Sequence, residues 1–362
     1  MSVQGQTIRA LRNGYDFSIT EVARLAALPP ERLTAIESGS APTVYELAMI
    51  GNALAIDPAA LHAGTVRDPK RTVARFRAPQ GVAELSGRDA RLLALAAEAG
   101  RTGAHLSGLL DRPLSVASSR NVRGVAARPS AWKQGYSLGA AARFRFCPER
   151  GPLLSVQGWM ESVGVHVAFV SLSSDDIEAA SIFEPGAMPV VLLNQRAERV
   201  RNPLSRRAIL GHELCHLMHD GGERDLTIVS RDHDASPVEQ RANGFAPSFL
   251  APGKWVEVAE RQPDRIVHEL ARTWGLTFEG AAWHAKNLSL IAPDEAEYLS
   301  RQHRRVAAGT FEPAIQRTSL DTLGLEVELS PLTTGLLSEL ALKACIEGAI
   351  SKGRAEEVLS LQ

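Results

Sequence analysis

The feature that most constrains this chain is the segment from Ala208 to His219, which contains the pattern H-E-x-x-H. Residues four positions apart lie on one face of a helix, so His212 and His216 can offer two imidazoles to one metal ion, with Glu213 beside them. The surrounding residues predict a buried helix that holds these side chains in place: Ile209, Leu210, Leu214, Leu217 and Met218. A buried helix with two hydrogen-bonded histidines is the alternative, so a third ligand has to decide.

A candidate for the third ligand lies on a second predicted helix, for which Ser236 is the N-cap. Glu239 and Asn243 are four residues apart and share one face of this helix. The carboxylate of Glu239 can bind zinc, and Asn243 can accept the outward N–H of a ligating histidine and fix its tautomer. The loop between the two helices carries other donors, of which His219, one turn after His216, is the strongest rival by position.

Length and charge distribution predict four segments in the 362 residues. Basic and acidic residues number 4 and 6 in residues 1–64, 16 and 6 in residues 65–150, and 20 and 29 in residues 151–362. A strongly basic middle indicates a polyanionic partner. We expect a helical unit at 1–64, a basic linker and helical segment at 65–150, the metal-binding domain at 151–300 and a mainly helical segment at 301–362.

Hydrophobic periodicity predicts an α+β fold that is mostly helical. Strands are expected at Val163–Leu172 and Met188–Asn194, and the second could bind an extended peptide by edge pairing. Ser205 is the expected N-cap of the H-E-x-x-H helix. No apolar run reaches membrane-spanning length and the first residues lack a secretory signal, so a cytoplasmic location without membrane contact is expected.

The first segment predicts four short helices, at Thr7–Tyr15, Ile19–Leu28, Glu31–Ser38 and Val44–Leu54. The residues from Ile19 to Gly39 resemble the helix-turn-helix of the XRE/Cro repressor family. In that family the helix matching Pro30–Glu37 enters the major groove, so the resemblance implies that Arg32 and Thr34 face DNA. The segment is net acidic, however, and the same bundle could serve dimerisation or docking instead.

Aromatic residues lie among cationic ones near the end of the basic segment: Trp132, Lys133, Tyr136, Arg143, Phe144, Arg145 and Phe146. Such a mixture can stack bases and hold phosphates of single-stranded nucleic acid, with Arg143, Arg145 and Arg150 as candidate contacts. The alternative is a solvated basic linker whose aromatic residues belong to the core of the next domain. Cys147 is a candidate inhibitory zinc ligand, because a thiolate binds zinc strongly, although a structural thiol is the simpler interpretation.

The sequence from Gln157 to about Leu299 resembles the ImmA/IrrE family of zinc metallopeptidases. The resemblance rests on the stretches Pro189–Asn194, Arg206–His216, Glu239–Ala246, Phe249–Pro252 and Ile266–Leu288. It implies a zincin-like domain of gluzincin type with a small sheet. In such a domain His212, His216 and Glu239 bind Zn²⁺, and Glu213 is the catalytic base.

The order of the upstream segments resembles family members that fuse a repressor-like domain to the peptidase. The resemblance implies a zinc endopeptidase that regulates transcription, or a stress or phage-defence response, by cleaving a repressor or antitoxin of helix-turn-helix type. Further candidate partners are DNA and a second copy of the chain. The DNA could be single- or double-stranded and could act as a partner or as an activator. The alternative is an XRE-type DNA-binding regulator whose metallopeptidase-like domain is a sensor without proteolysis. The presence of Glu213 favours catalysis, because a sensor needs no base.

Overall fold

The computed structural model describes residues 2–66, 85–114, 124–127, 130–220, 226–230 (main chain), 236–302, 332 and 335–359. The fold is α+β and mostly helical, as predicted. The helices are α1 (Val3–Gly14), α2 (Ile19–Leu25), α3 (Pro30–Ser38), α4 (Val44–Ala53), α5 (Pro58–Ala63), α6 (Gly87–Leu109), α7 (Ala131–Phe146), α8 (Val156–Ser162), α9 (Glu198–Arg201), α10 (Pro203–His219), α11 (Pro237–Leu250), α12 (Pro263–Trp274), α13 (Phe278–Asn287), α14 (Pro293–Ser300), α15 (Leu336–Ile346) and α16 (Lys352–Leu359). The strands are β1 (His166–Val170), β2 (Ile177–Ile182), β3 (Val190–Asn194) and β4 (Leu226–Ser230). No helix within these ranges combines the length and apolarity needed to cross a membrane.

The N-terminal unit consists of α1 to α5, one helix more than predicted. Helix α5 begins at Pro58, where Asp57 caps it by accepting the N–H of Ala59 at 2.9 Å. The Asp-Pro pair therefore starts a helix, which agrees with the preference of proline for the first helical position. Helix α3 is tied to α1 by Glu37, which is 1% exposed and accepts from Nε of Arg12 at 2.7 Å.

The four strands form one sheet in the order β1-β3-β2-β4, with β1 parallel to β3 and the other pairs antiparallel. Strand β3 lies between β1 and β2, so its main-chain groups are paired on both sides. The prediction that this strand binds a peptide by edge pairing is therefore wrong. Strand β4 ends the sheet, and its outer edge pairs with no other strand among the described residues.

Each face of the sheet packs against a different set of helices. Val167, Phe169 and Val191 belong to the core that contains α10, α11 and α12. Residues of the opposite face, including Val170 and Leu192, share a second hydrophobic cluster with α6 and with the N-terminal unit. Apolar side chains on both sides of the predicted boundary at residue 64 thus pack against one another. The division into four segments stays a prediction.

Close helix contacts bring α11 against both α7 and α10. A Cβ at Gly135 of α7 would overlap the carbonyl oxygen of Arg241, and one at Gly244 of α11 would overlap that of Trp132. On the other side of α11, a Cβ at Gly211 would lie 3.2 Å from the Cβ of Ala246. Small residues therefore allow the helix that carries Glu239 to approach the H-E-x-x-H helix.

Helices α15 and α16 are the described part of the predicted C-terminal segment. Leu336, Leu337 and Leu340 pack against Ala99 and Leu106 of α6. Residues 303–331, and residues 67–84 and 115–123 of the predicted basic linker and helical segment, lie outside the described residues.

Two histidines outside the predicted metal site are buried in their neutral form. His166 on β1 is fully buried with Nε2 2.6 Å from the carbonyl oxygen of Leu332, and His284 on α13 is 1% exposed with Nε2 2.8 Å from that of Ala251. Burial lowers the pKa of each from 6.5 to about 4. A second ring proton would lose the solvation that it has in the unfolded chain.

We expect the free energy of unfolding to fall as the pH drops from 6.5 towards 4. In this interval the unfolded chain binds a proton at each histidine and the folded chain does not, so the stabilisation is complete only above pH 6.5. The difference corresponds to about 3 kcal/mol for each histidine. Guanidinium unfolding of the wild type and of His284→Gln at pH 7.5 and pH 5 measures it. The variant should show a smaller loss on acidification, and an equal loss in both proteins would contradict the prediction.

Candidate metal centre

Helix α10 begins three residues earlier than predicted. Asn202 is the N-cap, and its side-chain oxygen accepts the N–H groups of Leu204 and Ser205 at 3.0 and 3.1 Å. The prediction of Ser205 as N-cap is wrong, because an asparagine followed by Pro203 is a stronger start signal. Every residue from Ile209 to His219 is buried, so the H-E-x-x-H pattern lies in the protein interior.

Three predicted ligands meet at the contact between α10 and α11. The Nε2 atoms of His212 and His216 are 3.0 Å apart. The Glu239 carboxylate lies 3.0 Å from Nε2 of His212 and 3.6 Å from Nε2 of His216. All three residues are buried and their ligand atoms lie within 4.8 Å of one another, and they form the one such cluster of His, Cys, Asp and Glu in the described part of the chain.

The outer nitrogens of both histidines face oxygen atoms. Nδ1 of His212 lies 2.9 Å from Oδ1 of Asn243, and Nδ1 of His216 lies 2.8 Å from Oδ2 of Asp220. With the ring proton on Nδ1, each histidine donates to the oxygen that it faces and directs the lone pair of Nε2 towards the other Nε2 and towards Glu239. Converging lone pairs and a carboxylate repel one another unless a cation lies between them, so these donors fit a metal ion.

Asp220 is a site residue that the sequence reasoning missed. Its signal is the spacing of four residues from His216, which places it at the C-cap of the same helix. Asp220 is 8% exposed, and its second oxygen accepts from the guanidinium of Arg241 on α11.

Glu213 is fully buried on the side of α10 that faces the sheet. One of its carboxylate oxygens accepts a hydrogen bond from the hydroxyl of Ser181 on β2. Ser181 is the second residue that sequence reasoning missed, because β2 was not predicted. The contact fixes the Glu213 carboxylate against β2, and Glu213 directly follows the ligand His212 on the helix.

Other candidate ligands lie outside the cluster. His219 packs its ring against Phe245, with centroids 5.8 Å apart. Cys147 is 8% exposed near Arg143, and burial raises the pKa of its thiol to about 11. Cys147 does not belong to the cluster of His212, His216 and Glu239, and its role as an inhibitory ligand stays a prediction.

Arg143 is buried and bonded to main-chain groups, which corrects its prediction as a nucleic-acid contact. Its side chain is 2% exposed, and its guanidinium donates to the carbonyl oxygens of Gly151, Phe249 and Leu250 at 2.6, 3.3 and 3.4 Å. It therefore satisfies main-chain groups at the end of α11. Arg145 and Arg150 are exposed.

The aromatic residues of α7 pack against the following domain, as the alternative interpretation expected. Phe144 contacts Trp255 with ring centroids 5.0 Å apart, and Phe146 contacts Trp159 at 6.4 Å. The hydroxyl of Tyr136 lies 2.5 Å from Nδ1 of His284. The pattern of aromatic and cationic residues thus reflects, in large part, a helix docked on a protein core.

In the N-terminal unit, Arg32 is held by another side chain. Its Nε and Nη2 lie 2.6 and 2.8 Å from the carboxylate of Glu46, and this ion pair lowers the pKa of Glu46 to about 2. Thr34 is exposed, and its hydroxyl donates to the carbonyl oxygen of Pro30 at 2.9 Å. A contact between Arg32 and a base would have to compete with this ion pair.

Comparison with known proteins gives one family. A family model described as Peptidase_M78, IrrE N-terminal-like domain, matches residues 160–284. This range contains β1 to β4, Glu213 and the three residues of the metal cluster, and lies outside α1 to α7. No curated protein matches the chain. The match supports a metallopeptidase-like hydrolase domain at 160–284.

Proposed function

We propose that the chain is a zinc-dependent endopeptidase whose metal is held by His212, His216 and Glu239. The observation that carries the proposal is the convergence of two Nε2 atoms and a carboxylate beside the buried Glu213. Two histidines and one glutamate are a common donor set of catalytic zinc, and they leave one position for water or substrate. The matched peptidase family supports the same chemistry.

The roles of the residues follow from their positions. Bound zinc would supply a Lewis acid that acidifies water and polarises a peptide carbonyl. Glu213 would take the proton from the attacking water and deliver it to the leaving amine. Ser181 holds this carboxylate from the sheet side. The outer edge of β4 would pair with an extended segment of the substrate.

The substrate that we propose is a repressor or antitoxin protein of helix-turn-helix type in the cytoplasm. The N-terminal unit would act as an XRE-like helix-turn-helix that contacts DNA through Thr34 and Arg32. Arg32 would first have to leave its ion pair with Glu46. Nucleic acid at Arg145 and Arg150 would serve as an activating signal. The competing proposal is a DNA-binding regulator that senses without cleaving, and the buried Glu213 is the observation that disfavours it.

One experiment compares the proposals. Zinc-loaded full-length protein and its Glu239→Ala variant are incubated with a cell extract, with and without single-stranded and duplex DNA, and new protein N-termini are identified by mass spectrometry. We expect new N-termini in a repressor or antitoxin when the wild type is added and none when Glu239→Ala is added. Glu239→Ala should also contain less zinc than the wild type. Gln240→Ala, on the same helix, is the matched control and should behave as wild type. Salt-sensitive DNA binding without any cleavage would support the sensor and overturn the peptidase.

A further inference from the structure

Beyond the three ligands, we propose that Asp220 and Arg241 are positioning residues that set the metal affinity of His216. This inference rests on the proposed metal site and names a different pair of residues. Asp220 follows His216 by one helical turn, and Arg241 lies on α11, two residues after Glu239. The pair therefore connects the helix that carries two ligands with the helix that carries the third.

The geometry joins three side chains in a row. Oδ2 of Asp220 lies 2.8 Å from Nδ1 of His216, and Oδ1 accepts from the guanidinium of Arg241. The side chains of Asp220 and Arg241 are 7% and 1% exposed. Asp220 is also anchored through its main chain, because its N–H donates to the carbonyl oxygen of His216 at 2.9 Å.

The buried ion pair determines which nitrogen of His216 can bind a metal. A carboxylate paired with a guanidinium accepts hydrogen bonds and donates none, so Nδ1 of His216 has to carry the ring proton. The lone pair at Nε2 then points to Glu239 and the cluster. The negative charge of Asp220 also makes the imidazole a stronger donor to a cation.

The two histidines differ in this respect. His212 faces the neutral amide of Asn243, whereas His216 faces a carboxylate held by an arginine. Changing Asp220 to asparagine would give His216 the same kind of partner that His212 has. The structure thus predicts that the charge at Asp220, in addition to its hydrogen bond, strengthens metal binding.

The close packing of α7 on α11 keeps Arg241 in place. Gly135 lies against the main chain of Arg241, where a Cβ would overlap the carbonyl oxygen. The arginine side chain is fully buried between these elements and Asp220. The burial of Arg241 strengthens its ion pair with Asp220, because water does not screen the two charges.

The test measures zinc affinity of the full-length protein by competition with a chromophoric chelator. We expect Asp220→Ala to weaken zinc binding by about 10- to 100-fold. Asp220→Asn should weaken zinc binding less, and Arg241→Gln should also weaken it because the variant removes the cationic partner of Asp220. The visible spectrum of the cobalt(II)-substituted protein should change in all three variants, because the ligand field at His216 changes.

The matched control is the ion pair of Glu178 and Arg199. Glu178 is 2% exposed and accepts from Nη1 of Arg199 at 2.8 Å, and it does not belong to the cluster. Glu178→Gln should lower the melting temperature and leave zinc affinity and the cobalt spectrum unchanged. Circular dichroism identifies variants that fold.

The outcomes separate this inference from the proposed function. A folded Asp220→Ala protein with wild-type zinc affinity, or an equal loss in Glu178→Gln, would overturn the positioning role. If Asp220→Ala fails to fold, Asp220→Asn and Arg241→Gln decide by the same measurement. A wild type that binds zinc but cleaves nothing would refute the peptidase and leave the affinity order intact. A wild type that binds no zinc would overturn both.

Discussion

Replacing Glu213 with glutamine is expected to abolish peptide cleavage while zinc binding stays close to that of the wild type. Glutamine has nearly the same shape and its amide oxygen can still accept the hydroxyl of Ser181, so the buried position remains satisfied. It cannot take a proton from water. General acid–base catalysis contributes about 10²- to 10⁴-fold, and we expect kcat/KM to fall by about this factor.

The measurement is the rate of cleavage of the identified substrate, together with the zinc content of the purified variant. Glu279→Gln, an exposed glutamate on α13, is the matched control and should retain wild-type activity. Cleavage by Glu213→Gln within a few-fold of wild type would refute the role of Glu213. A loss of zinc in this variant would instead show that Glu213 holds the site together.

Replacing Gly135 with alanine is expected to destabilise the fold strongly. The new Cβ would overlap the carbonyl oxygen and carbon of Arg241, which are main-chain atoms and cannot rotate away. Overpacking of this kind costs about 1–3 kcal/mol, occasionally more. Because Arg241 lies between Glu239 and Asn243, the displaced helix should also weaken zinc binding.

Gly108→Ala provides the control, since Gly108 is also helical and a Cβ there meets no atom within 4 Å. This substitution should leave stability unchanged or raise it by up to about 1 kcal/mol, the helix preference of alanine over glycine. Guanidinium unfolding at pH 7.5 compares the three proteins. Equal stability of Gly135→Ala and wild type would mean that α7 and α11 are not in close contact.

The ligands could be predicted because their signals are local. His212 and His216 are one turn apart, and Ser236 marks the start of the helix that presents Glu239 and Asn243. Asp220 has an equally local spacing, but its burial depends on Arg241, which comes from another helix. A residue of this kind is indistinguishable from a solvated loop aspartate until the tertiary contacts are known.

The elements that escaped prediction lack the pattern on which prediction depends. Strand β2 is buried along its whole length, so it has no alternation of polar and apolar residues. Helix α7 contains Gly135 and Gly139, which weaken a helical signal in sequence and are required by the contact with α11. Arg143 has the sequence pattern of an exposed cation. In the structure its guanidinium donates hydrogen bonds to carbonyl oxygens at the end of α11.

The placement of the sheet between two helical layers has a consequence for how the chain could be divided. One layer holds the H-E-x-x-H helix, and the other consists of α6 with the N-terminal unit. A fragment that began after residue 64 would expose to water the apolar side chains that now pack against α1 to α5, and it would lose their hydrophobic stabilisation. The metallopeptidase-like domain and the N-terminal unit share this hydrophobic cluster, and we expect an event that loosens the one to reduce the stability of the other.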